Sequence, residues 1–540
     1  MKNKNLINIL NEYIIFFEIN RFCQEDKLSH NGRLCYYWTI CNFLKKNTDF
    51  ESIEFNNISK QIFLNIKKNK FGDTIIFPGL ENRKNYSTNS IDCGIFLDSF
   101  FDYIEYSDKK EYLNLADKVF EEYAIKKISA DNLLHNQNLW LLAGISRYIK
   151  ERDKISEYKL LVKKKLDEWF LNINSDGSFS YYGKYSNKGL SGISPYYHSR
   201  CTAFSWYIIK NLGLDVEEYI VKLKKTTEFL CIMYRDDLKK EICLESKRYY
   251  FNSEFEFGSL PYDLYCFYKM YDYTKDLIWK KRFSIIFNKF IKSNYFQEKD
   301  NWQCDIMRCS HGAWLCRIPY DFYKSLEKYE DKEFSLFELN YKNDFIKSFF
   351  INFKKYFVIL KKTSINPISG GRVCGLVLYS EKLNINDISY RYCLHYYKKG
   401  FFISNFKYLI DDMKGEMKNI IYAIFDSFFH KKRFRLAYIQ LKLNFFSYIR
   451  TLFTTFSSEF VLNLNIIEEN QNSITYFIEI CDIKGNNKKV IGERKIEKEQ
   501  LEIKVYDIIY KENIGKIFFK GFDSKIKKVL KTNIIHRLNE

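Results

Sequence analysis

The sequence predicts a two-part fold: an (α/α) toroid of helical hairpins over residues 1–334, then a mainly antiparallel β-sandwich over residues 335–540. Three observations carry this expectation. Apolar residues recur at helical spacing from about residue 4 to 330. After about residue 335 the period shortens toward two. No fixed-period repeat is visible, which favours a closed helical array over an ordinary solenoid. Helices followed by strands, with no alternation of the two, also argue against a parallel α/β sheet.

The segment from Gly94 to Tyr106 shows the helical pattern cleanly. Leu97, Phe100, Phe101 and Ile104 fall on one face, and Asp98, Asp102 and Glu105 on the other, so it is expected to be amphipathic. Similar patterns run through Glu111 to Lys127, Asn132 to Lys150, Ile155 to Asn172 and His198 to Leu212. They continue through Val216 to Met233, Pro261 to Tyr273, Leu277 to Ser293 and Gly312 to Tyr329. The turn Asn174-Ser175-Asp176-Gly177, Gly213 as a C-terminal cap, and Pro195, Pro261 and Pro319 punctuate the helices. In the second half, strands are expected at Phe357 to Lys361, Arg372 to Tyr379, Phe460 to Ile466 and Ser473 to Ile483. Leu501 to Tyr510 and Lys516 to Lys520 complete the set, with a hairpin turn at Gly485-Asn486-Asn487. Asp411 to Tyr448 fits the strand pattern poorly.

Composition narrows the class. The 540 residues are 46% hydrophobic and 18% aromatic, enough apolar surface for several cores, so global disorder is excluded. Lys and Arg number 86 against 67 Asp and Glu, a net charge of +19 that favours polyanionic partners; codon drift toward Lys-rich composition would produce the same excess. The fourteen Cys include no Cys-x-x-Cys pair, which points to a reducing compartment. Asn8, Asn11 and Glu12 interrupt the first apolar run, and no stretch reaches 18 uninterrupted apolar residues. The expected protein is cytoplasmic, without a transmembrane segment. Phosphate-loop, dinucleotide, zincin and nucleophile-elbow motifs are absent, and the basic runs accompany no nucleic-acid module, so no nucleic-acid partner is expected.

Four polar clusters carry the candidate chemistry. The first places His135, Asn136 and Asn138 ahead of Trp140 at a helix start, where the amides either cap the helix or face a cleft. The second runs from Asp176-Gly-Ser-Phe179 through Tyr182 to Ser194-Pro195-Tyr196-Tyr197-His198-Ser199-Arg200, bringing phenol, imidazole and guanidinium into one loop and helix start. The third alternates Asn252, Glu254 and Glu256 with aromatics before Tyr262; two carboxylates on one side of an extended segment suit acid–base work or sugar hydroxyls. The fourth holds Arg308, His311 and Arg317. Cys304, Cys309, His311 and Cys316 match no common zinc spacing, and neither metal nor cofactor is expected. Each cluster also has a packing or capping role open to it.

The Asn-rich helix start, the Asp-Gly-Ser-Phe run and Ser-Pro-Tyr-Tyr-His at the next helix together resemble the layout of heparinase II/III-type polysaccharide lyases, over roughly residues 130 to 330. The resemblance implies a toroid joined to a β-sandwich and an acidic polysaccharide or oligosaccharide as substrate. It implies that Asn136 or Asn138 neutralises a uronate carboxylate, while Tyr197 and His198 move protons in a β-elimination assisted by His311. Within the same clusters His135, Tyr182, Arg200, Glu254, Glu256, Tyr262, Arg308 and Arg317 are expected to bind substrate. A stabilised enolate-like charge is what makes the hydrogen α to the carboxylate removable. The His-Ala-His-Ala-Asp-like segment of many such lyases is missing from the β half; His395 and His430 lie in other contexts. Two alternatives stay open: glycoside hydrolysis with Glu254 or Glu256 as acid, and a glycan-binding or assembly protein without turnover.

Overall fold

The computed structural model describes residues 6–20, 31–68, 75–76, 89–129, 135–173, 177, 195–232, 234, 259–292 and 310–326. In the C-terminal part it describes 346–351, 354–359, 373–377, 391–397, 460–470, 473–482, 489–499, 502–509, 516–520 and 534–537. Contacts divide the chain into two compact units. The first comprises Met1–Ile173, Tyr196–Leu230 and Phe257–Glu338; the second comprises Asn174–Pro195, Cys231–Glu256 and Leu339–Glu540.

The described part of the first unit is helical apart from the short antiparallel pair β1 (Lys67–Lys68) and β2 (Ile75–Ile76). Helix α1 (Leu6–Asn20) and a 3-10 turn at Asn31–Cys35 lead into α2 (Tyr36–Asn47) and α3 (Phe55–Asn65). Next come α4 (Asn89–Ser107), then α5 (Leu113–Lys118) and α6 (Ile125–Ser129), joined by a π-helical stretch at Val119–Ala124. Helices α7 (His135–Glu151), α8 (Ile155–Leu171), α9 (Pro195–Leu212) and α10 (Ile220–Ile232) follow. The set ends with α11 (Leu260–Thr274), α12 (Leu277–Lys292), a short α13 over 310–315 and α14 (Tyr320–Lys324). Gly213 follows α9 at φ 56°, a left-handed position that glycine occupies without strain.

Six of these helices pack in sequence order, and the first five of the six, α2, α4, α7, α9 and α11, run in the same direction. Thr39 and Asn42 of α2 bond Asp102 and Glu105 of α4 at 2.6 and 2.8 Å, so the two helices advance together. Helix α4 lies so close to α7 that a Cβ on Gly144 would sit 2.1 Å from the Gly94 carbonyl oxygen. Further along, Arg147 faces Asp102 at 3.8 Å. Between α7 and α9, Trp140 meets Phe204 at 5.1 Å and Asn211 donates to Ser146 at 3.0 Å. Phe204 and Tyr207 of α9 face Tyr262 and Tyr265 of α11 at 5.8 and 6.5 Å. Trp314 of α13 packs on Tyr262 at 4.9 Å and donates its indole N–H to Tyr36 of α2 at 3.3 Å, returning the contacts to the starting helix.

This environment corrects the expectation for α4. Leu97 and Phe100 are buried as expected, but so are Asp98 and Asp102, because a helix with neighbours on several sides has no solvent face to give them. Their charges are met inside: Asp98 accepts from Tyr207 at 2.7 Å and pairs with Arg317, while Asp102 accepts from Thr39. The helix expected from Gly312 to Tyr329 is broken, since Pro319 adopts an extended ψ of 138° and restarts the chain as α14.

In the second unit β3 (Ile346–Ile351), β4 (Lys354–Ile359), β5 (Val373–Val377), β6 (Arg391–Tyr397) and β11 (Lys516–Lys520) form one antiparallel sheet in the order β11-β6-β5-β4-β3. The other sheet takes the order β12-β10-β9-β8-β7, from β7 (Phe460–Glu469), β8 (Ser473–Asp482), β9 (Lys489–Glu499), β10 (Glu502–Ile509) and β12 (Ile534–Arg537), again antiparallel. Sequence alternation missed β3, β6, β9 and β12; in β9 many charged residues hide the two-residue period that pairing with β8 and β10 imposes. Asp411 to Tyr448 and the turn at Gly485 to Asn487 lie outside the described residues. Among the described residues no helix is long and apolar enough to cross a membrane.

Candidate functional site

All four polar clusters send a side chain to one place in the first unit. Arg200, near the start of α9, is fully buried, with its guanidinium carbon 5.7 Å from the centre of the Trp140 ring and 4.9 Å from that of Tyr262. One turn further on, Phe204 lies 5.1 Å from Trp140, 5.8 Å from Tyr262 and 5.2 Å from Trp314. Trp140 directly follows the first cluster, Arg200 ends the second, Tyr262 follows the third, and Trp314 lies between His311 and Arg317 of the fourth. Because α7, α9 and α11 run the same way, their positive N-terminal ends lie at the same end of the bundle.

Three further residues complete this cluster. The Tyr36 hydroxyl accepts the indole N–H groups of Trp140 and Trp314 at 3.2 and 3.3 Å, and burial holds its phenol well above the ordinary tyrosine range. Arg33, in the 3-10 turn before α2, places its guanidinium carbon 5.1 Å from the Trp140 ring. Beside it the fully buried Asp92 accepts the Gly32 N–H at 3.1 Å through Oδ1. Its Oδ2 is buried without a hydrogen-bond partner among the described residues. Burial pushes the Asp92 carboxyl up to about 7, against the opposing pull of Arg33 and the Gly32 bond. Sequence reading passed over all three residues; the signals available were Gly32 beside Arg33 and Gly94 inside an otherwise bulky helix, both marking close approach.

The other expected site residues are distributed as follows. His135 begins α7, with its side chain outside the described set; Tyr182, Glu254, Glu256 and Arg308 also lie outside it. Asn136 is buried, and its Oδ1 has no hydrogen-bond partner among the described residues. Asn138 and Tyr197 are half-buried near the starts of α7 and α9. His198 is fully buried, its Nε2 lies 3.1 Å from the Thr226 carbonyl oxygen, and its ring packs on Phe229 at 4.8 Å. Two residues along a helix are separated by about 200°, so His198 turns toward α10 while Arg200 turns toward α7 and α11. The imidazole and guanidinium that looked adjacent in sequence thus serve different surroundings.

His311 is buried one turn before Trp314 in α13. Arg317 reaches Asp98 and donates to Tyr207 at 2.9 Å, with its guanidinium carbon 4.4 Å from the Tyr207 ring and 4.9 Å from that of Trp314. Burial opposes the Arg317 charge, but Asp98 and Tyr207 more than offset it and hold the guanidinium protonated. Among the described residues no three His, Cys, Asp or Glu side chains gather as a metal set. No family model matches the chain, and no curated protein matches it.

Proposed function

We propose that this is a carbohydrate-active protein of the (α/α) toroid plus β-sandwich type, a lyase-like enzyme that cleaves a uronate-containing polysaccharide by β-elimination. The observation that carries the reading is the convergence of all four clusters, with the buried guanidiniums of Arg33 and Arg200, at the N-terminal ends of parallel helices. The succession of contacts from α2 through α4, α7, α9, α11 and α13 back to α2 supports ring closure. The two five-stranded sheets of the second unit supply the layers that a sandwich needs.

In this reading the cationic helix ends favour an acidic ligand. The half-buried Asn138 and Tyr197 are the groups placed to meet it: the amide stabilises the developing enolate-like charge, and the phenol transfers the proton to the departing oxygen. Incubation with uronate polymers tests this. New absorbance from an unsaturated uronate is expected, together with its loss in Tyr197→Phe at unchanged thermal stability. Reducing ends without that absorbance would overturn elimination in favour of hydrolysis.

One observation favours a second reading, glycan binding or assembly without turnover. His198, Arg200, Tyr262 and His311 have no exposed surface, and His198 bonds to the main chain. Saturable glycan binding with no product on any acidic polymer would select it.

A further inference from the structure

The 3-10 turn Asn31–Cys35 packs closely on α4, and Gly32 marks the tightest approach. Gly32 donates its N–H to Asp92, and a Cβ at Gly32 would lie 2.5 Å from the Asp92 Cβ, so only glycine lets the two backbones meet there. The next residue, Arg33, is placed over Trp140. Asp92 therefore holds the turn that carries one of the two guanidiniums on that ring. Its second oxygen is buried with no hydrogen-bond partner among the described residues, so burial disfavours the charge that Arg33 and the Gly32 N–H favour.

We propose that Asp92 is a positioning residue acting through Arg33: by gaining or losing one proton it switches the net charge beside Trp140, and so sets how strongly the site holds an acidic glycan. The switch regulates the site described above and rests on that reading only for the identity of the ligand. Several other groups bear on Asp92. Arg33 and Gly32 on the 3-10 turn favour its charged form. Cys93, its neighbour on α4, and Tyr123 in the π-helical stretch both interact with its charge, and Cys35 and Lys127 in turn act on Cys93. Burial pushes the Cys93 thiol and the Tyr123 phenol upward, so both stay neutral near pH 7. Asp92 is left as the group that titrates, so the charge around Trp140 is one unit more positive below its midpoint than above it.

The sign follows. An oligogalacturonide should bind more tightly at pH 6 than at pH 8, by roughly tenfold for one buried charge at this range, and neutral oligosaccharides should show no such slope. Asp92→Asn keeps an acceptor for the Gly32 N–H and fixes the neutral form, so its affinity should match the wild type at pH 6 and stay flat to pH 8. Calorimetric titration across this range reads both. A wild-type slope that survives in Asp92→Asn overturns the proposal, as does a flat wild-type profile. A second readout needs no ligand: infrared difference spectra of wild type against Asp92→Asn should show one protonated-carboxyl band titrating near neutrality. That band without binding of any acidic glycan sustains the switch and removes the glycan reading. Glycan turnover without the band does the reverse.

Discussion

Gly144→Ala sets two effects against each other with opposite signs. Alanine favours the interior of α7 by about 1 kcal/mol over glycine, so secondary structure alone predicts a more stable protein. The added Cβ, however, would lie 2.1 Å from the Gly94 carbonyl oxygen, 2.6 Å from its Cα and 2.7 Å from its carbonyl carbon, where ordinary contact begins at 3.4 Å. These are main-chain atoms of α4 and cannot rotate away, so the helices must part by roughly 1 Å. At such a gap facing atoms forfeit a quarter to a half of their dispersion attraction. The affected layer includes Leu97, Phe100, Leu141 and Ile145, all fully buried. Overpacking of this kind costs about 1–3 kcal/mol and occasionally more. Main-chain approaches of 2.1 to 2.7 Å place the cost at the upper end, about 3 kcal/mol, so with the helix gain subtracted a net loss of about 2 kcal/mol is expected, seen in urea titration and as a melting point lower by roughly 4–8 °C. Gly94→Ala, whose Cβ would lie 2.4 Å from the Trp140 carbonyl oxygen, should act in the same direction. The double variant should cost less than the two losses added, because the second Cβ enters a gap the first has opened. A Gly144→Ala protein as stable as the wild type, or a strictly additive double variant, would refute the close α4–α7 approach.

Tyr36→Phe deprives two buried indole N–H groups of their acceptor at about 1–3 kcal/mol each; a denaturation midpoint unchanged from wild type would remove Tyr36 as the link between α7 and α13. Asp98→Asn leaves the Arg317 guanidinium buried without its anion and should destabilise by about 3–5 kcal/mol, much of it recovered in Asp98→Asn with Arg317→Met; failure of that rescue would contradict the pairing. The Asp92 carboxyl titrates higher folded, at about 7, than its ordinary 3.8, so its stabilising contribution is complete below about pH 4 and is lost as pH rises through 7. Relative to Asp92→Asn, the wild type should lose up to about 4 kcal/mol between pH 4 and 8, and parallel urea-unfolding profiles of the two proteins would show that Asp92 is solvated.

Much of the architecture was legible in sequence because it depends on period alone. Helical spacing located most of the first unit, and alternation located β7, β8, β10 and β11 within a few residues. The four polar clusters were also visible, since polar residues gathered at helix starts stand out against a strongly aromatic background. What periodicity does not encode is the number of neighbours a helix has. The pattern in α4 reads as one buried and one wet face, yet Asp98 and Asp102 are inside, because Arg317 and Thr39, 219 and 63 residues away in the chain, supply their partners. The same limit explains Arg33, Asp92 and Tyr36, ordinary residues in the linear text that matter through distant partners such as Trp140 and Trp314. It also explains His198 and Arg200, neighbours in sequence that the helical turn sends to different partners. Local spacing is a property of the chain, and it determined where helices and strands form. Burial and charge compensation are properties of what arrives from elsewhere in the chain, so only the tertiary structure decided which polar side chains became anchors and which remained near the surface.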